Sequence, residues 1–243
     1  MRVRITILLI WFLVEGGLSQ STIDKYVRAN NAINQMNNNN MQQGDMIYQV
    51  RSSETTELVG DPYFDVHWAK SSILLYDGRL IEGQLIRYDI RQNEFEIRLN
   101  GIVKVLSGSL VQNVVWVDSL DSSNKYLVNT KNLNWENSKS TGFMELLVEG
   151  DIPLMKRIIL EILKPDYNLA LNVGSKDFRI IKRVKYYYVR NSTIYEIKRR
   201  DFIDKFKEKF PDIESFCKKQ SISWSKQSDL VQLFNYLNLK QEN

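Results

Sequence analysis

The sequence predicts an α+β fold, in which a mostly antiparallel β-sheet of roll-like or barrel-like shape is followed by two or three short helices. Up to residue 198, short apolar stretches alternate with turn pairs such as Asp77-Gly78, which typically connect the strands of β-hairpins. After residue 198, the apolar side chains recur every three or four positions, which is the period of a helix. We therefore expect a β-rich domain over residues 58–198 and a helical tail over residues 199–243 that packs on it.

Two turn pairs make the first hairpins the clearest part of the pattern. Asp77-Gly78 and Asn100-Gly101 each join two apolar stretches, and these residue types tolerate the positive φ that a tight hairpin turn requires. Apolar and charged side chains also alternate at residues 94–99, as on a strand with one buried face. The strands expected from such patterns lie at residues 72–76, 79–88, 94–99, 102–106, 114–117, 143–148, 152–162, 179–190 and 193–197.

Three helices are expected in the tail. Pro211 begins the second helix, and Ser225 is the candidate N-cap of the third. The apolar faces carry Phe202, Ile203, Phe206 and Phe210, then Ile213, Phe216 and Cys217, then Leu230, Val231, Leu233, Phe234 and Leu237. We expect these faces to pack on the sheet or on one another.

The first nineteen residues have the order of charge and apolarity of a secretory signal peptide. Arg2 and Arg4 precede an apolar run over residues 5–14, and small residues precede the expected cleavage point after Ser19. This run is too short for a transmembrane helix, which needs about 20 apolar residues, and no later stretch is long and apolar enough. The sequence therefore predicts export without an anchor, followed by an Asn/Gln-rich flexible arm over residues 20–57.

The single cysteine, Cys217, and the single histidine, His67, limit the chemistry. One cysteine excludes an internal disulfide, and the helical spacing of Cys217 from Ile213 and Phe216 favours a buried thiol over a free, reactive one. A zinc site needs several such ligands, so we expect no metal and no cofactor. Nothing in their positions supports a Cys/His catalytic pair.

Positive charge is concentrated at the carboxyl end of the chain. Residues 20–174 carry 15 basic and 19 acidic side chains, a net −4, whereas residues 175–243 carry 16 and 9, a net +7. A basic end that includes Lys218 and Lys219 is suited to an anionic lipid headgroup, an acidic polysaccharide or an acidic protein. The alternative is that these lysines only form solvated helix faces. No nucleic-acid-binding motif accompanies the charge, so nucleic acid is not an expected partner.

A run of three tyrosines offers a second candidate binding surface. Strand alternation predicts that Tyr186 and Tyr188 share one face, with the cations Arg179 and Arg183 on the same strand. Tyrosine rings stack on sugars, and guanidinium groups bind carboxylates or sulfates in a bidentate manner. The alternative is that these tyrosines pack in the core, as strand tyrosines commonly do.

Carboxylates suitable for a hydrolase are numerous in the first half of the chain, but they have no defined spacing. Such an enzyme needs two carboxyl groups that face one cleft, and Asp61, Asp65 and His67 are the nearest approach to such a set. Asp77 is used in a turn, and Glu94 and Glu96 alternate with apolar residues as on a solvent face. The sequence therefore favours a protein without enzymatic activity and identifies no catalytic residue.

Short motifs of turns and strands stand at Gly60-Asp61-Pro62-Tyr63, Asp77-Gly78-Arg79, Glu82-Gly83, Leu85-Ile86-Arg87-Tyr88-Asp89 and the strand over residues 142–148. In these motifs the chain resembles a family of exported, largely uncharacterised proteins of Bacteroidota. The motifs are turns and strands rather than a catalytic signature, and Asp89 stands where the family commonly has Asn. The resemblance implies a Gram-negative envelope, and Asp118-Ser119-Leu120 is similar to the O-glycosylation sequon of that lineage, with Ser119 as acceptor.

These observations together predict an exported, non-enzymatic binding or accessory protein of the bacterial cell envelope. Its expected partners are an envelope protein or an acidic glycan or lipid surface. A small exported hydrolase that uses carboxylates remains the alternative. The periplasm is preferred over the medium, because the chain ends in an expected helix and not in the carboxyl-terminal domain with which this lineage exports proteins across its outer membrane.

Overall fold

A computed structural model describes residues 47–49, 58–118, 120–137 and 140–241. Over these residues, thirteen strands form one large open sheet, which is mostly antiparallel, and three short helices follow it. The predicted α+β fold is therefore confirmed. The predicted signal peptide, most of the predicted arm and Ser119 lie outside the described residues.

Most elements follow one another along the chain with short connections, but residues 164–177 separate β11 from β12. The strands are β1 (Ile47–Gln49), β2 (Leu58–Val59), β3 (Ala69–Leu75), β4 (Leu80–Asp89), β5 (Glu94–Leu99), β6 (Ile102–Ser107), β7 (Val111–Val117), β8 (Asn124–Asn129), β9 (Asn134–Trp135), β10 (Phe143–Val148), β11 (Leu154–Leu163), β12 (Phe178–Arg190) and β13 (Thr193–Glu196). The helices are α1 (Arg199–Phe206), α2 (Ile213–Lys219) and α3 (Gln227–Gln241). Across the sheet the order is β1-β6-β5-β4-β3-β7-β8-β10-β11-β12-β13-β9, and β2 pairs with one end of β12.

The two hairpins predicted from turn pairs are present as β3–β4 and β5–β6. The strands predicted at residues 143–148, 152–162, 179–190 and 193–197 also pair in succession, as β10–β11, β11–β12 and β12–β13. Strand β8 was not predicted, because its sequence has only two adjacent aliphatic residues between polar ones, and β9 is too short to show a period. Strand β1 lies within the range predicted as an arm and pairs with β6.

In the first half of the sheet, the apolar side chains of one face pack on one another and form a core. Side chains from β3 to β8, together with Phe143 of β10, form one apolar cluster. Tyr88 stacks on Phe95 with ring centroids 4.6 Å apart, and Phe143 meets Phe95 edge-on at 5.0 Å. Because these side chains pack on one another, this half of the sheet curls around its inner face, which agrees with the predicted roll-like shape. Each large apolar side chain buried in this way contributes about 1.5–3 kcal/mol to stability.

The second half of the sheet packs against the helices. Leu154 and Tyr188 contribute to a core with Phe202, Phe206 and Phe234 from α1 and α3. Among the described residues, no helix is long and apolar enough to cross a bilayer.

Polar contacts fix the position of α3. The Asn238 side chain accepts a hydrogen bond from the Ile152 amide at 3.0 Å and donates to the Glu149 carbonyl at 3.3 Å, so it ties the helix to the β10–β11 turn. The predicted N-cap is wrong, because the helix begins at Gln227 and the Leu230 amide donates to the carbonyl of Lys226. Lys226 therefore occupies the capping position.

Candidate functional site

The hairpin of β11 and β12 extends beyond the sheet that supports it. Its two strands pair without a register shift from Leu154 opposite Tyr188 to Leu163 opposite Arg179. The neighbouring strand β10, however, pairs with β11 only up to Lys156. We call residues 157–163 of β11 and the residues opposite them the distal ribbon. Its outer edge on the β11 side has no backbone partner among the described residues.

A groove with a volume of about 470 Å³ runs along this edge, and we call it the β11 groove. The groove is lined by four consecutive residues of β11, 157–160. Because successive side chains of a strand point to opposite faces, a groove that contacts all four must follow the edge of the strand. The β4–β5 turn and the segment before β10 contribute other parts of its lining. The lining residues are Ile90, Arg91, Trp135, Ser140, Arg157, Ile158, Ile159, Leu160, Ile162, Ile180, Lys185, Tyr187 and Glu196.

Arg157 is the distinctive charged group of the groove. Its guanidinium lies over the Trp135 ring, 4.9 Å from the ring centroid, and its Nη2 donates to the Thr141 carbonyl at 2.7 Å. No carboxylate of the described residues lies within 4.0 Å of it. Burial lowers the pKa of Arg157, while the nearby hydroxyls of Tyr187 and Tyr88 act in the opposite direction. The groove thus holds a half-buried cation without an anionic partner among the described residues.

Two aromatic side chains form the wall beside Arg157. Trp135 meets Tyr187 edge-on, with ring centroids 5.5 Å apart. The indole Nε1 of Trp135 is buried and has no hydrogen-bond acceptor among the described residues, which is uncommon for a buried donor. Lys185 and Glu196 form an ion pair of 2.9 Å in the same lining. The wall therefore offers aromatic surface beside the Arg157 cation, while the indole Nε1 itself is buried beneath it.

The predicted tyrosine face is part of the core. Tyr186 and Tyr188 do share one face, but Tyr188 is 2% exposed and packs between Tyr195 at 5.0 Å and Phe202 at 5.2 Å. Tyr186 is half-buried against the same core. Burial raises the pKa of both hydroxyls. The packing alternative therefore describes Tyr188, and Tyr187 on the other face is the tyrosine that reaches the groove.

The two predicted arginines do not lie beside those tyrosines. Arg179 and Arg183 are at odd-numbered positions of an uninterrupted strand, so they are on the opposite face from Tyr186 and Tyr188. Arg183 Nε lies 3.0 Å from Glu161, and an Arg179 nitrogen lies 3.7 Å from Asp166. The structure therefore does not bring the four residues together as one aromatic and cationic surface.

The basic helices carry charges that are partly paired. Lys218 and Lys219 are exposed on α2, and the Lys218 ammonium lies 3.4 Å from Glu214 one turn earlier. Lys205 and Lys207 of the α1 region also have carboxylate partners, at 2.7 Å each. This arrangement is that of a solvated helix surface with local ion pairs.

The residues considered for a hydrolase have separate partners. Asp61 accepts a hydrogen bond from Lys182 at 2.6 Å. Asp65 lies 3.1 Å from His67, whose side chain is 63% exposed. Over the part of the chain that the structure describes, no three His, Cys, Asp or Glu side chains gather as a metal site would require.

The sequence motifs that carry the family resemblance lie side by side and support the fold. The Phe64 amide donates to the Tyr88 carbonyl at 2.8 Å, and the Arg87 guanidinium lies 4.1 Å from the ring centroid of Tyr63. Tyr63 donates to Glu96 at 2.9 Å, and burial raises the pKa of its hydroxyl to about 12. These contacts hold the segment before β3 against the outer face of β4 and β5.

A buried ion pair lies between the two large cores. The Lys156 ammonium is 2.6 Å from Glu145 Oε2, and the two side chains are 16% and 7% exposed. That oxygen lacks a hydrogen bond of good geometry with any described group, so the attraction is mainly Coulombic. A small cavity of about 30 Å³ adjoins the pair, which is about the size needed for a single water molecule.

Comparisons with protein-family models, with curated proteins and with solved structures find no match for this chain. The geometry of the β11 groove is therefore the basis for a functional proposal. Sequence reasoning did not identify this groove. The available signal was the run of adjacent aliphatic residues after Arg157, which gives β11 apolar side chains on both faces.

Proposed function

We propose that the chain is an exported, non-enzymatic binding protein of the bacterial cell envelope, and that the β11 groove holds an anionic group of its ligand. The observation that carries this proposal is the Arg157 guanidinium, which is half-buried, stacked on Trp135 and without a carboxylate partner among the described residues. A half-buried guanidinium of this kind is stabilised when a carboxylate or sulfate binds it in a bidentate manner. The groove volume lies in the range of ligand sites.

Binding is better supported than hydrolysis. A hydrolase of the carboxylate type needs two acidic groups that face one cleft. Glu196 is the one carboxylate among the described lining residues, and Lys185 already pairs with it. The export and lineage in this proposal are supported by the signal-peptide pattern of residues 1–19 and by the family resemblance. Periplasmic residence and an envelope partner remain parts of the same proposal.

An array of acidic glycans and acidic peptides, each beside its neutral counterpart, tests the proposal. The full chain should bind acidic probes in preference to neutral ones, and Arg157→Met should weaken that binding at least about tenfold, as expected for a lost charge-assisted contact. Arg183→Met is the matched control, because Arg183 is an exposed arginine of the same hairpin that pairs with Glu161. We expect that control to change binding less than about twofold. Equal binding by wild type and Arg157→Met would contradict the assignment of the groove.

A further inference from the structure

We infer that the ligand of the β11 groove is an extended segment of polypeptide that adds to the free edge of β11 as a further strand. The inference rests on the proposed binding function and names the class of partner. Its starting point is the pairing of β11, which has β12 on one side along its whole length but β10 on the other side only up to Lys156. An unpaired strand edge is the feature that strand addition uses.

The hydrogen-bond pattern identifies the backbone groups that face the groove. The Val189 amide of β12 donates to the Pro153 carbonyl at 3.3 Å. Successive residues of a strand direct their backbone groups to opposite sides, so the odd-numbered residues of β11 bond to β12. The even-numbered residues Ile158, Leu160 and Ile162 therefore direct their N–H and C=O groups toward the free edge. A ligand strand at that edge would form hydrogen bonds with these groups.

This edge lacks two of the features that usually protect sheet edges. Natural edges carry prolines, bulges or charged residues that prevent pairing with another chain. Residues 157–163 contain no proline, and their pairing with β12 has no register shift. The segment carries two charged side chains, Arg157 and Glu161, but Ile158, Leu160 and Ile162, whose backbone groups face the edge, are aliphatic. A two-stranded ribbon is also only marginally stable by itself. A third strand would stabilise the distal ribbon and satisfy its outer backbone groups.

The shape and charge of the groove favour a single extended chain as the occupant. Ile90, Arg91 and Ser140 come from other segments and line the groove along with β11, so the edge borders a channel rather than an open side. A single strand fits beside β11 at the usual spacing of about 4.8 Å, whereas the edge of a second copy would bring its whole sheet. Arg157 selects an acidic side chain or a terminal carboxylate on that segment.

Hydrogen exchange of the full chain tests the free edge directly. The amides of Ile158, Leu160 and Ile162 should exchange at least about tenfold faster than those of Ile159 and Glu161, which bond to β12. Equal protection of the two sets in the free chain, together with a mass that depends on concentration, would show that a second copy occupies the edge. That result would overturn the inference.

A peptide probe tests the occupant. Random twelve-residue peptides displayed on phage are selected against the full chain, and the tightest peptide that depends on Arg157 is synthesised. When this peptide is bound, the even-numbered amides of β11 should become at least about tenfold more protected. N-methylation at alternate peptide positions, where the peptide N–H would bond to β11, should weaken binding about tenfold or more. N-methylation at the positions between them should weaken binding less than about threefold.

Substitution of Leu160 gives the complementary test. Leu160→Pro removes an outward-directed N–H and leaves the bonds to β12 intact, which an edge position permits. Leu160→Pro should weaken binding of the peptide at least about tenfold. Leu160→Ala, which keeps the N–H, should weaken that binding less than about threefold. If Leu160→Pro does not fold, the N-methylated peptides decide. An Arg157-dependent ligand that leaves the even-numbered amides unprotected would overturn strand addition and retain the proposed function, whereas no Arg157-dependent probe of any kind would overturn both.

Discussion

Replacing Lys156 with Met should be among the most damaging single changes to this protein. At the observed 2.6 Å, the attraction between Lys156 and Glu145 is about 6 kcal/mol at an effective dielectric constant of about 20, and it offsets the desolvation of both charges. Lys156→Met would leave the Glu145 carboxylate, which is 7% exposed, without its cation. Breaking a buried pair in this way lowers the free energy of unfolding by about 3–5 kcal/mol.

A second variant separates charge from packing. Glu145→Leu together with Lys156→Met replaces both charges with apolar groups and should restore the free energy of unfolding to within about 1 kcal/mol of the wild-type value. Urea denaturation measures the free energy of unfolding of each variant, with the slope m of that free energy against urea concentration held the same for all variants. Lys185→Met is the control, because the Lys185–Glu196 pair is exposed, and it should lose at most about 1 kcal/mol. A loss from Lys156→Met no larger than that of the control would refute the reasoning.

Three further predictions concern other parts of the molecule. Arg157→Met should leave the free energy of unfolding within about 1 kcal/mol of wild type or raise it, because it removes a desolvated charge; urea titration measures this. Gly60→Ala should destabilise by about 2 kcal/mol in the same assay, because φ is +118° and the new Cβ would lie 2.8 Å from the Ile180 carbonyl. Lys125 holds the pKa of Asp118 below its usual range, so Asp118 stabilises the fold above pH of about 3.9 and this contribution is lost as the pH falls through the lower folded-state pKa; Asp118→Asn should remove that part of the acid dependence of urea midpoints.

Local signals were sufficient for the hairpins. A turn pair such as Asn100-Gly101 specifies its own geometry, since Asn100 has φ of +50° and Gly101 +78°, and the alternation at residues 94–99 specifies which face is buried. Strand β8 has no comparable signal, because its place depends on Leu127 packing in a core built by distant strands. The helix expected to begin after Ser225 begins two residues later, at Gln227, and Asp229 in its first turn accepts a hydrogen bond from the Ser223 amide at 3.2 Å.

The candidate site was harder to predict than the fold, because it depends on where pairing stops. The sequence of β11 gives no indication that β10 leaves it after Lys156, and the contact of Arg157 with Trp135 joins residues that are far apart in the chain. Composition drew attention to the three tyrosines instead. The alternation of the strand puts Tyr187 and Tyr188 on opposite faces, but it does not say which face the helices cover. The observed packing shows that Tyr188 lies in the core under the helices and Tyr187 in the groove.

Three unfavourable features of the structure meet in the β11 groove. Among the described residues, Arg157 is half-buried without an anion, the Trp135 Nε1 is buried without an acceptor, and the edge of β11 has backbone groups without a partner. Each feature alone lowers stability or invites unwanted pairing. A buried indole donor without an acceptor also occurs at Trp116, so the cation and the strand edge are the features that distinguish the groove. An acidic extended peptide supplies a carboxylate, hydrogen-bond acceptors and a strand edge at once. A single class of ligand therefore accounts for the unpaired cation and for the strand edge, whereas the Trp135 Nε1 is buried beyond the reach of a ligand in the groove.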